Sequence, residues 1–267
     1  MKADLHFHPC FFNRGAGFQF TQWKAPTLKE ILNTASSKKV DILTITSCST
    51  HEHVDPRWYE HISEIDEIKD YNFKILNQKL KATKEGQNPI YIFHGQELKT
   101  DKADLNILFA EERVRMKGTK GKIESVIDAA KNSGDEVLIG INQLSRCMLT
   151  EKELREFYET GKVNFLEYYN SMESEANNKY SEGIAMRMGI PGIAVSDGHR
   201  LEDMARAYTE SFLDEELDLK DIPNQIAYDI KNRTCINIEG KCSKLSKALY
   251  LARLSEAIVK YKLGLLE

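Results

Sequence analysis

The sequence predicts an α/β fold made of βα units around a mostly parallel sheet. Three observations lead there. Short apolar runs of strand length alternate with longer stretches of helical periodicity through most of the chain. Polar residues capable of chemistry fall at the ends of the apolar runs rather than inside the helical stretches. The composition is that of an ordinary folded chain, with 41% hydrophobic and 29% charged residues and only 15 Gly and 6 Pro among 267 residues. That balance excludes fibrous, low-complexity and disordered classes.

In chain order, strands are expected at residues 3–8, 40–46, 89–93, 105–109, 136–141, 163–169 and 190–196. Helices are expected between them at 28–37, 58–84, 123–133, 151–159 and 174–188. The 58–84 segment is long for one helix, and a break is expected near Asp70-Tyr71-Asn72. The alternation continues with a strand at 207–212, a helix near 219–232 and a strand at 235–238. An amphipathic helix at 243–262 closes the chain, its stripe formed by Leu245, Leu249, Leu251, Leu254, Ile258 and Tyr261. Neither a repeat nor a linker interrupts the pattern, so residues 1–267 read as one domain.

Charge and cysteine usage narrow the partners. Thirty-seven Lys and Arg face 41 Asp and Glu, a formal net charge of −4, so no global field attracts nucleic acid or an anionic membrane. No apolar run approaches the roughly 18 residues of a membrane span. Met1-Lys2-Ala3 leads directly into a polar motif at Asp4, which leaves no room for a signal peptide. Cys10, Cys48, Cys147, Cys235 and Cys242 are odd in number and lack CxxC spacing. A disulfide framework is therefore not expected, and a reducing cytoplasm is.

The strand ends carry Asp4-Leu5-His6-Phe7-His8, Thr46-Ser47-Cys48-Ser49-Thr50-His51, His94-Gly95-Gln96-Glu97, Asn142-Gln143, Glu167-Tyr168-Tyr169-Asn170 and Ser196-Asp197-Gly198-His199-Arg200. In parallel βα architectures such ends converge on one mouth. Strand alternation puts His6 and His8 on one face and Leu5 and Phe7 on the other. Two imidazoles at i and i+2 can chelate one ion, and Asp197 with His199 repeats the spacing. Imidazole with carboxylate suits zinc, manganese or iron better than calcium.

Asp4-Leu5-His6-Phe7-His8, Gly95-x-Glu97 and Ser196-Asp197-x-His199 resemble, in order, the signature blocks of the PHP (polymerase and histidinol phosphatase) family. The resemblance covers about residues 3 to 200, with a less specific likeness over 207–238. It implies a distorted (β/α)7 TIM-like barrel, a two- or three-metal site and hydrolysis of phosphoesters. The family's Asp-His after the second strand is Ser47-Cys48 here. Its His after the Gly-x-Glu block is Asp104, or Asn106 in a shifted alignment. Its later His-Pro is Asn142-Gln143, and an expected Asp or His is Arg14. One complete ligand set remains, His6, His8, Glu97 and Asp197, with His199 surviving from another.

The expectation is thus a metal-dependent phosphoesterase acting on a small phosphorylated metabolite, holding one or two divalent ions of zinc, manganese or iron. The alternative is a degenerate member that binds a metal, ligand or partner without turnover. His199 and Asp197 are the candidates for proton handling, and Arg14 and Arg200 for holding phosphate. Cys48 is either a thiolate ligand or a small buried hydrophobe. His51 and His53 could resupply ligands, or belong to a solvated loop. The basic stretch Arg113, Arg115, Lys117, Lys120 and Lys122 is either solvated or steers an anion.

Overall fold

A computed structural model describes residues 1–8, 26–49, 65–77, 79–114, 121–213 and 217–242. Eleven strands form one sheet. They are β1 (Lys2–Phe7), β2 (Ile42–Ser49), β3 (Asn72–Leu76), β4 (Lys79–Thr83), β5 (Ile90–Lys99), β6 (Asp104–Leu108), β7 (Leu138–Ile141), β8 (Phe165–Asn170), β9 (Gly192–Val195), β10 (Tyr208–Glu210) and β11 (Ile236–Ile238). The helices are α1 (Leu28–Ser37), α2 (Ile123–Lys131), α3 (Glu151–Glu159), α4 (Glu175–Met188) and α5 (Ile222–Asn232).

The path β1-β2-β5-β6-β7-β8-β9 curls into a nearly closed, distorted barrel. At the seam, Phe7 bridges to Gly198, and Asp197 N–H donates to the His6 carbonyl at 2.9 Å. Nearer the chain start, β10 pairs antiparallel with β1 and fills the gap. Asp4 ties the seam from β1, accepting from the N–H groups of Ser196 at 3.2 Å and Ala205 at 2.7 Å.

The helices form where their ends are satisfied and one face is apolar. Thr27 and Thr150 each build a capping box, with Glu30 and Glu153 respectively, and Ser174 caps α4. Gly189 ends α4 at φ +62°, a left-handed conformation that glycine adopts at little cost. Inside the barrel, Leu5, Ile42, Tyr91, Phe93, Leu108, Phe165 and Ile193 pack with Ile222, Ile226 and Ile230 of α5. Phe165 fits because position 140 is glycine; a Cβ there would lie 2.0 Å from its ring. Outside, α2, α3 and α4 cover β6, β7 and β8, while α1 and the β3–β4 hairpin cover β2 and β5.

Three expectations are corrected. The 58–84 helix does not form over its described part: 65–67 is one 3-10 turn, and 72–83 is an antiparallel hairpin pairing with β5. Phe73 and Ile75, and Leu80 and Ala82, alternate at the strand period, and Asn77 makes the turn at φ +43°. The strand expected at 89–93 runs on to Lys99, so His94-Gly95-Gln96-Glu97 lies within β5. Finally, β6 runs antiparallel to β5 and β7. Only Thr100 to Ala103 separate β5 from β6, too few for the dozen or so residues of a parallel crossover. The expected 243–262 helix lies outside the described residues. Among those described, no helix is long and apolar enough to cross a membrane.

Candidate metal centre

The centre begins with an irregularity in β1. Asp4 pairs with Leu43 and Phe7 with Ile45, so three residue steps on β1 meet two on β2. This bulge breaks simple alternation. Leu5 stays in the barrel interior, whereas Phe7 packs outside against Leu28, Ile31 and Met204. Leu5 and Phe7 therefore do not share the face that alternation assigns them. The extra residue turns His6 and His8 into the barrel mouth above Leu5.

Both rings have defined tautomers. His8 Nδ1 donates to the Thr46 carbonyl at 2.8 Å. His6 Nδ1 donates to Glu167 Oε1 at 2.6 Å, and the same oxygen accepts from Asn106 Nδ2 at 3.0 Å. Carbonyl and carboxylate oxygens accept, so each Nδ1 carries a proton, and Nε2 is the ring atom that each histidine turns toward the other. The two Nε2 atoms face each other at 2.8 Å. Lone pairs that close repel unless a cation lies between them, either a proton or a metal ion.

Two carboxylates complete the set. Glu97 Oε2 lies 3.6 Å from His8 Nε2. Asp197 Oδ1 lies 3.7 Å from His6 Nε2 and 3.5 Å from His8 Nε2. Ligand atoms of His6, His8 and Glu97 fall within 4.8 Å of one another, as do those of His8, Asp197 and His199. The His199 ring stacks on His8 with centroids 4.8 Å apart. Asp197 is held at φ +46°, an uncommon backbone conformation for a residue with a Cβ. Hydrogen bonds from Asp197 N–H to His6 O, and from His8 N–H to Gly198 O, hold it there. Such strain costs on the order of 1–3 kcal/mol and marks functional sites often enough to motivate a functional reading.

Burial and neighbouring charges act in opposite directions on these groups. Burial acts to lower the His6 pKa, but Glu167, Asp197 and Glu97 outweigh it and raise the group to about 10. Burial and the charges of His6 and His199 push His8 down to about 3. Burial raises the Glu167 carboxyl and lowers the His199 imidazole. Three buried carboxylates, Glu97, Glu167 and Asp197, surround the two imidazoles. Imidazole nitrogens and carboxylate oxygens gathered this way are a donor set that would suit zinc, manganese or iron(II). The residues present fit such an ion.

Residues 175–227 match a family model described as PHP-associated. This matched segment contains Asp197 and His199. Over this segment the chain is similar to the PHP family. The crystal structure of PsfC from Pseudomonas syringae is similar at a TM-score of 0.60 and 14% identity, over 97% of this chain and 98% of that one. A two-domain protein from Bacteroides vulgatus containing a predicted PHP-like metal-dependent phosphoesterase is similar at 0.57 and 15%, over 90% of this chain and 65% of that one. At these identities the likeness shows the fold. No curated protein matches the chain in sequence.

Against the PHP pattern, the structure brings together His6, His8, Glu97, Asp197 and His199. Of the two alternatives after Gly-x-Glu, Asn106 faces the centre, paired with Glu97 and bonded to Glu167. Asp104 pairs with Lys99 instead and belongs to neither ligand group. Arg200 forms an ion pair with Glu202 at 3.2 Å and is 26% exposed. Arg14, His51 and His53 lie outside the described residues, as does the Cys48 side chain. The expected list omitted Glu167. It sits within β8, beside a register shift between Glu167 and Tyr169, and a carboxylate in a mostly apolar strand was the available signal. Asn142, Gln143 and Asn170 also line the centre, through hydrogen bonds to Glu97 and Asp197.

Proposed function

We propose that the chain is a metal-dependent hydrolase acting on a small phosphorylated metabolite, in a PHP-family barrel. The carrying observation is the pair of Nε2 atoms 2.8 Å apart with Glu97 and Asp197 beside them. Zinc, manganese or iron(II) bound there supplies Lewis acidity and lowers the pKa of water into the neutral range.

The chain's own groups do the rest. His6 and His8 give neutral donors, while Glu97 and Asp197 give the negative charge that retains a dication. Glu167 and the Thr46 carbonyl fix the two rings so that Nε2 is always the ligating atom. His199, partly exposed at the rim and kept neutral by burial, is placed to accept a proton and return it to a leaving group. Arg200 follows it at the rim. Together with Arg14 it is assigned to the phosphate, for which a guanidinium fork is suited. The similar Bacteroides protein, which contains a predicted PHP-like metal-dependent phosphoesterase, supports the same class.

The test is a panel of phosphomonoesters and phosphodiesters offered to protein loaded separately with manganese, iron(II) and zinc. Turnover of at least one substrate, abolished by chelation and by Arg200→Ala at low substrate, is expected. Stoichiometric metal without turnover on any ester would contradict the reading and leave a metal-binding protein.

A further inference from the structure

We infer that this centre holds one ion rather than two or three, because side-chain amides occupy the carboxylate oxygens that a second ion would share. The inference rests on the metal reading above and concerns the number of ions.

Each ligand carboxylate is divided between two environments. Glu97 directs Oε2 toward His8 and receives Asn142 Nδ2 on Oε1 at 3.3 Å. Asp197 directs Oδ1 toward both histidines and receives Asn170 Nδ2 at 3.0 Å and Gln143 Nε2 at 3.4 Å on Oδ2. The amide orientations follow from chemistry: an ionised carboxylate only accepts, so the NH2 ends must face it. In dinuclear sites, ions about 3.5–4 Å apart are bridged by shared ligands. Here the outer oxygens point at hydrogen-bond donors, and an NH2 group has no lone pair to offer a cation.

The amides are held in place. Asn170 accepts Met172 N–H on Oδ1 at 2.9 Å, and its backbone N–H and carbonyl both bond the Asn178 side chain. Gln143 leaves β7 at φ +44°, which aims it across the mouth. The remaining amide oxygens, Asn142 Oδ1 and Gln143 Oε1, are buried without a hydrogen-bond partner. A cation resting on these amide oxygens alone would have only neutral oxygens, and the buried, unpartnered Glu167 Oε2 belongs to a carboxylate already engaged with His6 and Asn106. Among the described residues, the amide row therefore occupies the outer carboxylate oxygens that a second cation would use.

The experiment is to saturate the full chain with Mn2+, remove loosely held ion by gel filtration, and measure manganese per chain by mass spectrometry together with the electron paramagnetic resonance spectrum. One ion per chain with the spectrum of an isolated Mn2+ is expected. About two ions, or the signature of a spin-coupled pair, would overturn the inference while leaving the metal site intact. No retained ion would overturn the metal reading itself. Asn142→Asp removes the donor on Glu97 and adds a carboxylate, and the ratio should move from one toward two. Gln143→Glu makes the same change at Asp197 should the first variant fail to fold. A ratio fixed at one in the folded variant would show that the amides do not set the count.

Discussion

The two sides of the barrel mouth are built from side chains of similar size and opposite chemistry. One side holds His6, His8, Glu97, Glu167, Asp197 and His199. The other holds Asn106, Asn142, Gln143 and Asn170. Both are mostly buried. They are stitched together by amide-to-carboxylate hydrogen bonds on Glu97, Glu167 and Asp197. The ionisable side sets two Nε2 atoms against each other among three carboxylates, an arrangement that suits a cation. The amide side is neutral and supplies donors, so it requires none. An amide has the volume and hydrogen-bonding reach of a carboxylate but lacks its affinity for a metal, and the amide side consists of such residues.

The largest effect should come from removing a ligand on the ionisable side. His8→Ala deletes one of the two Nε2 donors, and retained metal should fall to background by elemental analysis while the far-ultraviolet circular dichroism is kept. Full metal retention in this variant would erase the distinction between the sides. Glu167→Gln probes the join. It keeps an acceptor for His6 Nδ1 but loses the charge that strengthens the ligand. Metal affinity should drop by about 10–100-fold in a competitive chelator titration. An unchanged affinity would reduce Glu167 to a packing role.

The smallest effect concerns a histidine outside both sides. His94 follows Phe93 on β5 and points away from the interior, 3.4 Å from Ser47 Oγ. Burial, reinforced by Arg113, lowers its pKa to about 4. The folded protein therefore binds a proton there less readily than the unfolded chain, whose imidazole titrates near 6.5. The stability gained from this neutral ring is fully present above about pH 6.5 and is lost as pH falls toward 4. Between pH 6.5 and 5 the loss is about 1.5 kcal/mol, somewhat under the full slope of about 1.4 kcal/mol per pH unit. His94→Gln should flatten the denaturant midpoint over that window and leave the manganese ratio unchanged. A midpoint equally steep in the variant would assign the slope to the metal-site groups instead.

What could be read in the sequence follows from the range of the interactions. Helices at 28–37 and 151–159 match α1 and α3 end to end, because a capping threonine and an apolar stripe are local signals. The hairpin at 72–83 was hidden because its alternation is only five residues per strand within a charged segment that also suits a helix. His6, His8 and the Asp197-x-His199 pair were legible as spacing. The bulge that aims the histidines was not, since it is a mismatch between two strands whose residues lie about forty positions apart. Nor was the His6–Glu167 bond, made across 161 residues. Whether Asp104 or Asn106 faces the centre depended on the register of β6 against β5, which no single-strand pattern contains.

The central claim is tested most directly by anomalous diffraction from crystals grown with manganese, recorded at the manganese edge. The account predicts one strong peak bonded to His6 Nε2 and His8 Nε2, with Glu97 and Asp197 completing the ligands and no second peak beside the Asn142–Gln143–Asn170 row. A map with the two Nε2 atoms still in mutual contact and the anomalous signal elsewhere would contradict it.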